Sequence, residues 1–139
     1  MTTGYVYIIG VGPGDPSLIT VKGQRFIAKA DIILADHLVH PTLLAGIKDT
    51  AAIIYVGKQR GKHSITQDKI NDLFLEHTRL DRVVVRLKGG DPFIFGRLGE
   101  EMAFLSQHNI PFQVVPGVSS AVAVPGYAGI PITHRNLSR

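Results

Sequence analysis

The feature that most limits how this chain can fold is the stretch Val83-Val-Val-Arg86-Leu-Lys88-Gly89-Gly90-Asp91-Pro92-Phe-Ile94-Phe-Gly96. It opens as a β-branched run of the kind found in strands buried on both faces, which occur in parallel sheets covered by helices. It breaks at paired glycines, turns at Asp91-Pro92 and continues into an apolar Phe-Ile-Phe segment closed by Gly96. Glycines directly after a buried strand let backbone come close to a ligand, because no Cβ intervenes. Asp91 sets a carboxylate beside that bare backbone. A purely structural reading stands next to this one: a tight strand-to-helix turn with a buried aromatic wedge.

The same alternation runs through the chain. Tyr5 to Gly10 reads as a strand. A helix is expected from about Thr20, its cap, to Ala30, with Gly23, Phe26, Ile27 and Ala30 on one face. Ile32 to Ala35 is a second strand, Pro41 to Ile47 a short helical start, and Ala52 to Val56 a third strand. Thr66 caps the clearest helix, where Ile65 and Ile70 have the spacing of a hydrophobic staple and Ile70, Leu73, Phe74 and His77 share a face. Arg97 to His108 is expected to be helical, with Leu98, Met102 and Leu105 inward. Glu100 and Glu101 in its first turn suit the helix dipole, and adjacent helical residues point in different directions. Pro111 to Val115 is a fifth strand; a helix after Gly117 has little room before Pro125. Strands alternating with helices predict an α/β fold, a mostly parallel five-stranded sheet flanked by helices and joined by right-handed crossovers.

Composition narrows the function classes. At 139 residues, 45% hydrophobic and 19% charged, the chain reads as one globular domain with its own core. The absence of cysteine excludes disulfides and thiolate metal sites and suits a reducing cytoplasm. No apolar run is long enough to span a bilayer, and the start lacks the pattern of a signal peptide, so no membrane partner is expected. A net charge of +4 fits an acidic small molecule as well as nucleic acid. The basic residues are scattered without aromatic interleaving, which ranks nucleic acid low. His37 and His40 lack carboxylate or cysteine partners at ligand spacing, so no metal site is expected.

The loops carry the functional signal. Gly10-Val-Gly12-Pro13-Gly14-Asp15 resembles a dinucleotide fingerprint but has Asp15 where the last glycine belongs, and Pro13 removes an amide a phosphate cradle would use. No Walker A spacing exists. Taken singly, Asp36 reads as a turn-capping carboxylate and Arg60 and Lys62 as a solvated charged loop. Yet Pro13, Asp36, Lys58, Gly89 to Asp91 and Gly117 to Ser120 each lie just past the carboxyl end of an expected strand, the edge along which open α/β sheets bind ligands. As a set they predict one site on one rim.

Several blocks resemble the tetrapyrrole methylase family, and most closely its uroporphyrinogen-III C-methyltransferase branch. They include Val11-Gly-Pro-Gly-Asp-Pro16, Asp36-His-Leu-Val39, Val56-Gly-Lys58, Val84-Val-Arg-Leu-Lys-Gly-Gly-Asp-Pro-Phe-Ile-Phe-Gly-Arg97, Val114-Val-Pro-Gly-Val118 and Ala128-Gly-Ile-Pro-Ile-Thr-His-Arg135. The resemblance implies that Pro13, Gly89, Gly90, Asp91, Ile94, Ser119 and Ser120 hold S-adenosylmethionine, with Asp36 as proton acceptor and Lys58 as proton donor. It implies transfer of two methyl groups to ring carbons of uroporphyrinogen III, giving precorrin-2 on the way to sirohaem or cobalamin, by a cytoplasmic homodimer. The substrate's many carboxylates would match Lys58, Arg60, Lys62, Arg86 and Lys88, although Arg86 or Lys88 could instead satisfy a nearby carboxylate. Three positions depart from the family pattern: His37 where arginine is usual, Ala35 where tyrosine is common, and Leu98 in place of glycine. On this resemblance residues 1–117 are the N-terminal α/β domain, and residues 118–139 are a linker and the start of a second domain across the cofactor. The chain is then expected to be an incomplete fragment that folds as the N-terminal domain and binds the cofactor weakly or not at all. The rival expectations are a nicotinamide- or nucleotide-binding module and a non-catalytic truncated domain.

Overall fold

The computed structural model describes residues 3–57 and 65–138. Five strands and four helices follow in the order β1 (Tyr5–Gly10), α1 (Val21–Ile27), β2 (Ile32–Ala35), β3 (Ala52–Tyr55), α2 (Gln67–Arg79), β4 (Val83–Lys88), α3 (Leu98–Gln107), β5 (Phe112–Val115) and α4 (Ser120–Tyr127). Short 3-10 turns cover Pro16–Leu18 and Pro41–Leu44. All strand pairings are parallel, in the order β3-β2-β4-β1-β5, so the expected α/β sheet is present.

The direction of each crossover decides which face its helix covers. From β1 to β3 the chain steps towards one edge, then returns through β4 to β5 at the other. Right-handed crossovers in opposite directions must lie on opposite faces. Accordingly Ile27 of α1 packs with Ile9, Ile33, Val85 and Leu87 on one face. Ile70 and Phe74 of α2 and Leu105 of α3 pack with Ile8, Leu34 and Val84 on the other. The central strand β4 therefore buries side chains on both faces, which is what its β-branched run demands.

The caps act as the sequence suggests. The Thr20 hydroxyl accepts from Gly23 N at 3.0 Å and the Thr66 hydroxyl from Lys69 N at 3.2 Å. Three expectations change. Helix α1 stops at Ile27 instead of reaching Ala30. Helix α4 runs through Pro125, whose missing N–H leaves only the carbonyl of the exposed Ala121 for water to satisfy. Phe93 and Phe95 form no buried wedge: both are exposed, and Phe95 and Arg97 take positive φ angles of 52°. Among the described residues no helix is long and apolar enough to cross a membrane.

Candidate functional site

Three loops meet above the carboxyl ends of β1, β4 and β5. Val11 N donates to the Lys88 carbonyl at 2.9 Å, Gly12 N to the Gly90 carbonyl at 3.1 Å, and Gly90 N back to the Gly12 carbonyl at 2.7 Å. Gly90 has φ of +62°, which favours glycine. A Cβ on Gly10 would stand 2.7 Å from Gly117 N, the Gly90 carbonyl oxygen and Pro92 Cδ, and one on Gly117 would collide with that same oxygen. The junction thus exists only as bare backbone. On its outer side a Cβ at Gly90 would meet no heavy atom within 4 Å, so it would occupy the space above the sheet.

That space is a cleft of about 670 Å³. Pro13, Gly89, Gly90, Asp91, Ile94, Ser119 and Ser120 line it. Asp36 reaches it from the end of β2, with Arg86 and Lys88 behind. Seven residues expected to hold a cofactor, together with Asp36, therefore share one concavity. Lys58, Arg60, Lys62 and His63 lie outside the described residues.

Local hydrogen bonds set the loops. Asp91 Oδ1 accepts from Phe93 N at 3.2 Å, closing the turn after the paired glycines. Ser119 Oγ accepts from Ala121 N at 3.2 Å and starts α4. The Tyr127 hydroxyl donates to Asp15 Oδ2 at 3.0 Å and ties α4 to the first loop. Hydrogen bonds from Ser17, with Tyr127 adding to them, hold the Asp15 carboxyl below its usual range. His37 stacks on Tyr55 with ring centroids 5.3 Å apart, a contact an arginine there would make differently.

Beneath the cleft lies a buried ion network. Alternation along β4 sends Val84, Arg86 and Lys88 to the face covered by α3. There Glu101, fully buried, receives Arg86 Nε at 3.3 Å and Lys88 Nζ at 3.1 Å on its Oε1. Arg86 Nη2 reaches Asp36 Oδ1 at 2.8 Å. Burial pushes the Lys88 ammonium below its usual range, and the charge of Glu101 opposes that shift. Two cations and two carboxylates balance, as buried charges must.

Glu101 corrects the sequence-based expectation that both glutamates serve the helix dipole. Glu100 does stay outside, paired with Arg97 at 2.7 Å, whereas Glu101 turns into the interior. The signal was available: Glu101 stands three residues after Leu98 and four before Leu105, both inward. A carboxylate on that stripe needs cations opposite, and β4 carries two. These pairings tie Arg86 and Lys88 to the protein's own carboxylates at the floor of the cleft.

Bare backbone, the apolar Pro13 and Ile94 and the Asp91 carboxylate can hold an organic molecule against the sheet edge, with a second carboxylate, Asp36, facing it. Pro13 has no N–H to offer a phosphate, and Asp91 repels one, so a dinucleotide suits this edge poorly.

Comparisons with known proteins agree with this geometry. The family described as Tetrapyrrole (Corrin/Porphyrin) Methylases matches residues 5–139. A uroporphyrinogen-III C-methyltransferase of Methanocaldococcus jannaschii is 53% identical over 136 residues, which cover 98% of this chain and 56% of that protein. The crystal structure of a uroporphyrin-III C-methyltransferase from Thermus thermophilus superposes with a TM-score of 0.85 at 43% identity, over 98% of this chain and 57% of that one. A second structure of the Thermus thermophilus enzyme, complexed with S-adenosyl homocysteine, has a TM-score of 0.77 at 45% identity, covering 96% of this chain and 52% of that one. The chain spans about half the length of each of these three relatives.

Proposed function

Because this chain belongs to the tetrapyrrole methylase family, we propose that it takes part in S-adenosylmethionine-dependent C-methylation of uroporphyrinogen III, giving precorrin-2 by way of precorrin-1. The observation that carries this reading is the gathering of Pro13, Gly89, Gly90, Asp91, Ile94, Ser119 and Ser120 around one cleft that Asp36 also faces. The fit to the methyl donor rests on the open space over Gly90, where a side chain would intrude.

Gly89 and Gly90 bring backbone amides and carbonyls to the donor, Asp91 offers its polar groups a carboxylate, and Pro13 and Ile94 cover its apolar parts. Bound there, S-adenosylmethionine supplies an electrophilic methyl group. The protein's own contribution is chiefly alignment: loops fixed by backbone hydrogen bonds hold two reactants in one orientation. Asp36 then accepts the proton that leaves the methylated ring carbon. Lys58 is the proton donor in this scheme.

Residues 1–117 serve as the N-terminal α/β domain, and residues 118–139 lead towards a second domain. The exposed apolar side chains of Val122, Val124, Tyr127, Ile130 and Ile132 support a covering surface there. The full-length assembly is a homodimer, which sedimentation checks, and it works in the cytoplasm. Incubation with S-adenosylmethionine and uroporphyrinogen III tests the reaction: mass spectrometry should show one and then two added methyl groups. An unchanged tetrapyrrole, with cleft resonances undisturbed by either compound, would contradict it.

A further inference from the structure

We propose that Arg86 is a positioning residue, locked in place by Glu101 and two backbone carbonyls so that it fixes the Asp36 carboxylate at the cleft instead of gripping a ligand. The inference rests on the proposed function for the role of Asp36. The parallel register of β2 and β4 pairs Leu34 with Arg86. Side chains two apart on a strand share a face, so Asp36, just past β2, falls on the same side and diagonal to Arg86. Every nitrogen of the guanidinium is then used. Nε donates to Glu101 Oε1 at 3.3 Å, Nη1 to the carbonyls of Leu87 at 2.8 Å and Leu34 at 3.4 Å, and Nη2 to Asp36 Oδ1 at 2.8 Å.

The burial of each member agrees with that division of labour. Side-chain exposure is 5% for Arg86 and 0% for Glu101, but 27% for Asp36. Glu101 is therefore the inaccessible anchor, Arg86 the inaccessible link, and Asp36 the one carboxylate of the network presented to the cleft. A planar fork can hold one carboxylate in a fixed direction while being held by another, whereas lysine offers its three donors from one freely rotating nitrogen. Four of its five N–H groups are so committed, which leaves one on Nη2 and no free fork to grip an incoming carboxylate in bidentate fashion.

The ligand-free chain tests the locking through arginine side-chain NMR. A locked Arg86 shows a slowly exchanging Nε–H and slowly rotating Nη protons, assigned by their loss in Arg86→Lys; Asp36→Asn should loosen the Nη2 side and leave Nε–H protected. An Arg86 that exchanges and rotates like an exposed arginine overturns the proposal, whatever the cleft binds. A double-mutant cycle tests the consequence. Arg86→Lys should lower methyl transfer by ~10²-fold through misplacement of Asp36. It should leave affinity for uroporphyrin unchanged and cost nothing further in the Asp36→Asn background. A loss of uroporphyrin affinity that persists in that background would show Arg86 gripping the ligand and overturn the proposal. Where Arg86→Lys does not fold, the pair Arg86→Met with Glu101→Gln replaces it, because it leaves one cation and one carboxylate in balance. A locked Arg86 in a protein that ignores uroporphyrin supports the positioning and removes the proposed substrate.

Discussion

At the scale of single residues, buried charge separates what this sequence displays from what it conceals. His77 sits on the apolar stripe of α2, and the structure buries it there, with Nδ1 3.2 Å from Arg82 Nη1 and no hydrogen-bond partner for Nε2 among the described residues. Burial lowers its pKa from the ordinary value of 6.5. The unfolded chain then takes up this proton at a higher pH than the folded one. Stability contributed by the neutral ring is complete above about pH 6.5 and is lost as pH falls through the lower folded value. Urea unfolding across that range should show a pH slope that His77→Gln reduces; identical slopes would contradict a buried neutral ring. Glu101 was harder to read because a carboxylate in a first helical turn suits the dipole, although its spacing from Leu98 and Leu105 places it on the inward stripe. Glu101→Ala leaves the buried Lys88 without its carboxylate and Arg86 with Asp36 alone, and should cost ~3–5 kcal/mol in denaturant unfolding. A cost under about 0.5 kcal/mol, the range of a surface change, would mean the network is solvated.

At the scale of elements, strands and helices were legible wherever periodicity and caps agreed. Thr20, Thr66 and the Ile65/Ile70 pair marked helix starts correctly because a cap satisfies local amides whatever the tertiary context. The misjudged segments are ones where solvent compensates. Helix α4 tolerates Pro125 because the freed carbonyl lies on an exposed turn, and Phe93 and Phe95 face outward although their composition suggests burial. Two glycines contrast sharply. Gly117→Ala drives a Cβ into the Gly90 carbonyl at the loop junction and should cost at least ~1–3 kcal/mol while disturbing the cleft. Gly126→Ala in α4 meets nothing within 4 Å and should raise stability by ~0.4–1 kcal/mol. Calorimetric melting of the two variants checks the pair, and a silent Gly117→Ala would show that the three loops do not meet as described.

At the scale of the whole molecule, local pattern predicts an α/β sheet, and the strand order β3-β2-β4-β1-β5 is a tertiary fact that no local pattern encodes. That order matters to function, because it sets β4 between β2 and β1 and so brings Asp36, Gly90 and Pro13 to one cleft. The rim was nevertheless anticipated, since unusual residues past strand ends must fall on one edge of any parallel sheet. The most direct measurement is a titration of the isotope-labelled chain with S-adenosylhomocysteine, read by amide shifts, with NADH as the comparison. Shifts concentrated at Gly12, Gly90, Asp91 and Ser120 with S-adenosylhomocysteine and absent with NADH are the predicted result, even at low affinity. Unmoved cleft amides, or equal shifts with both compounds, would contradict the cleft as a methyl-donor site.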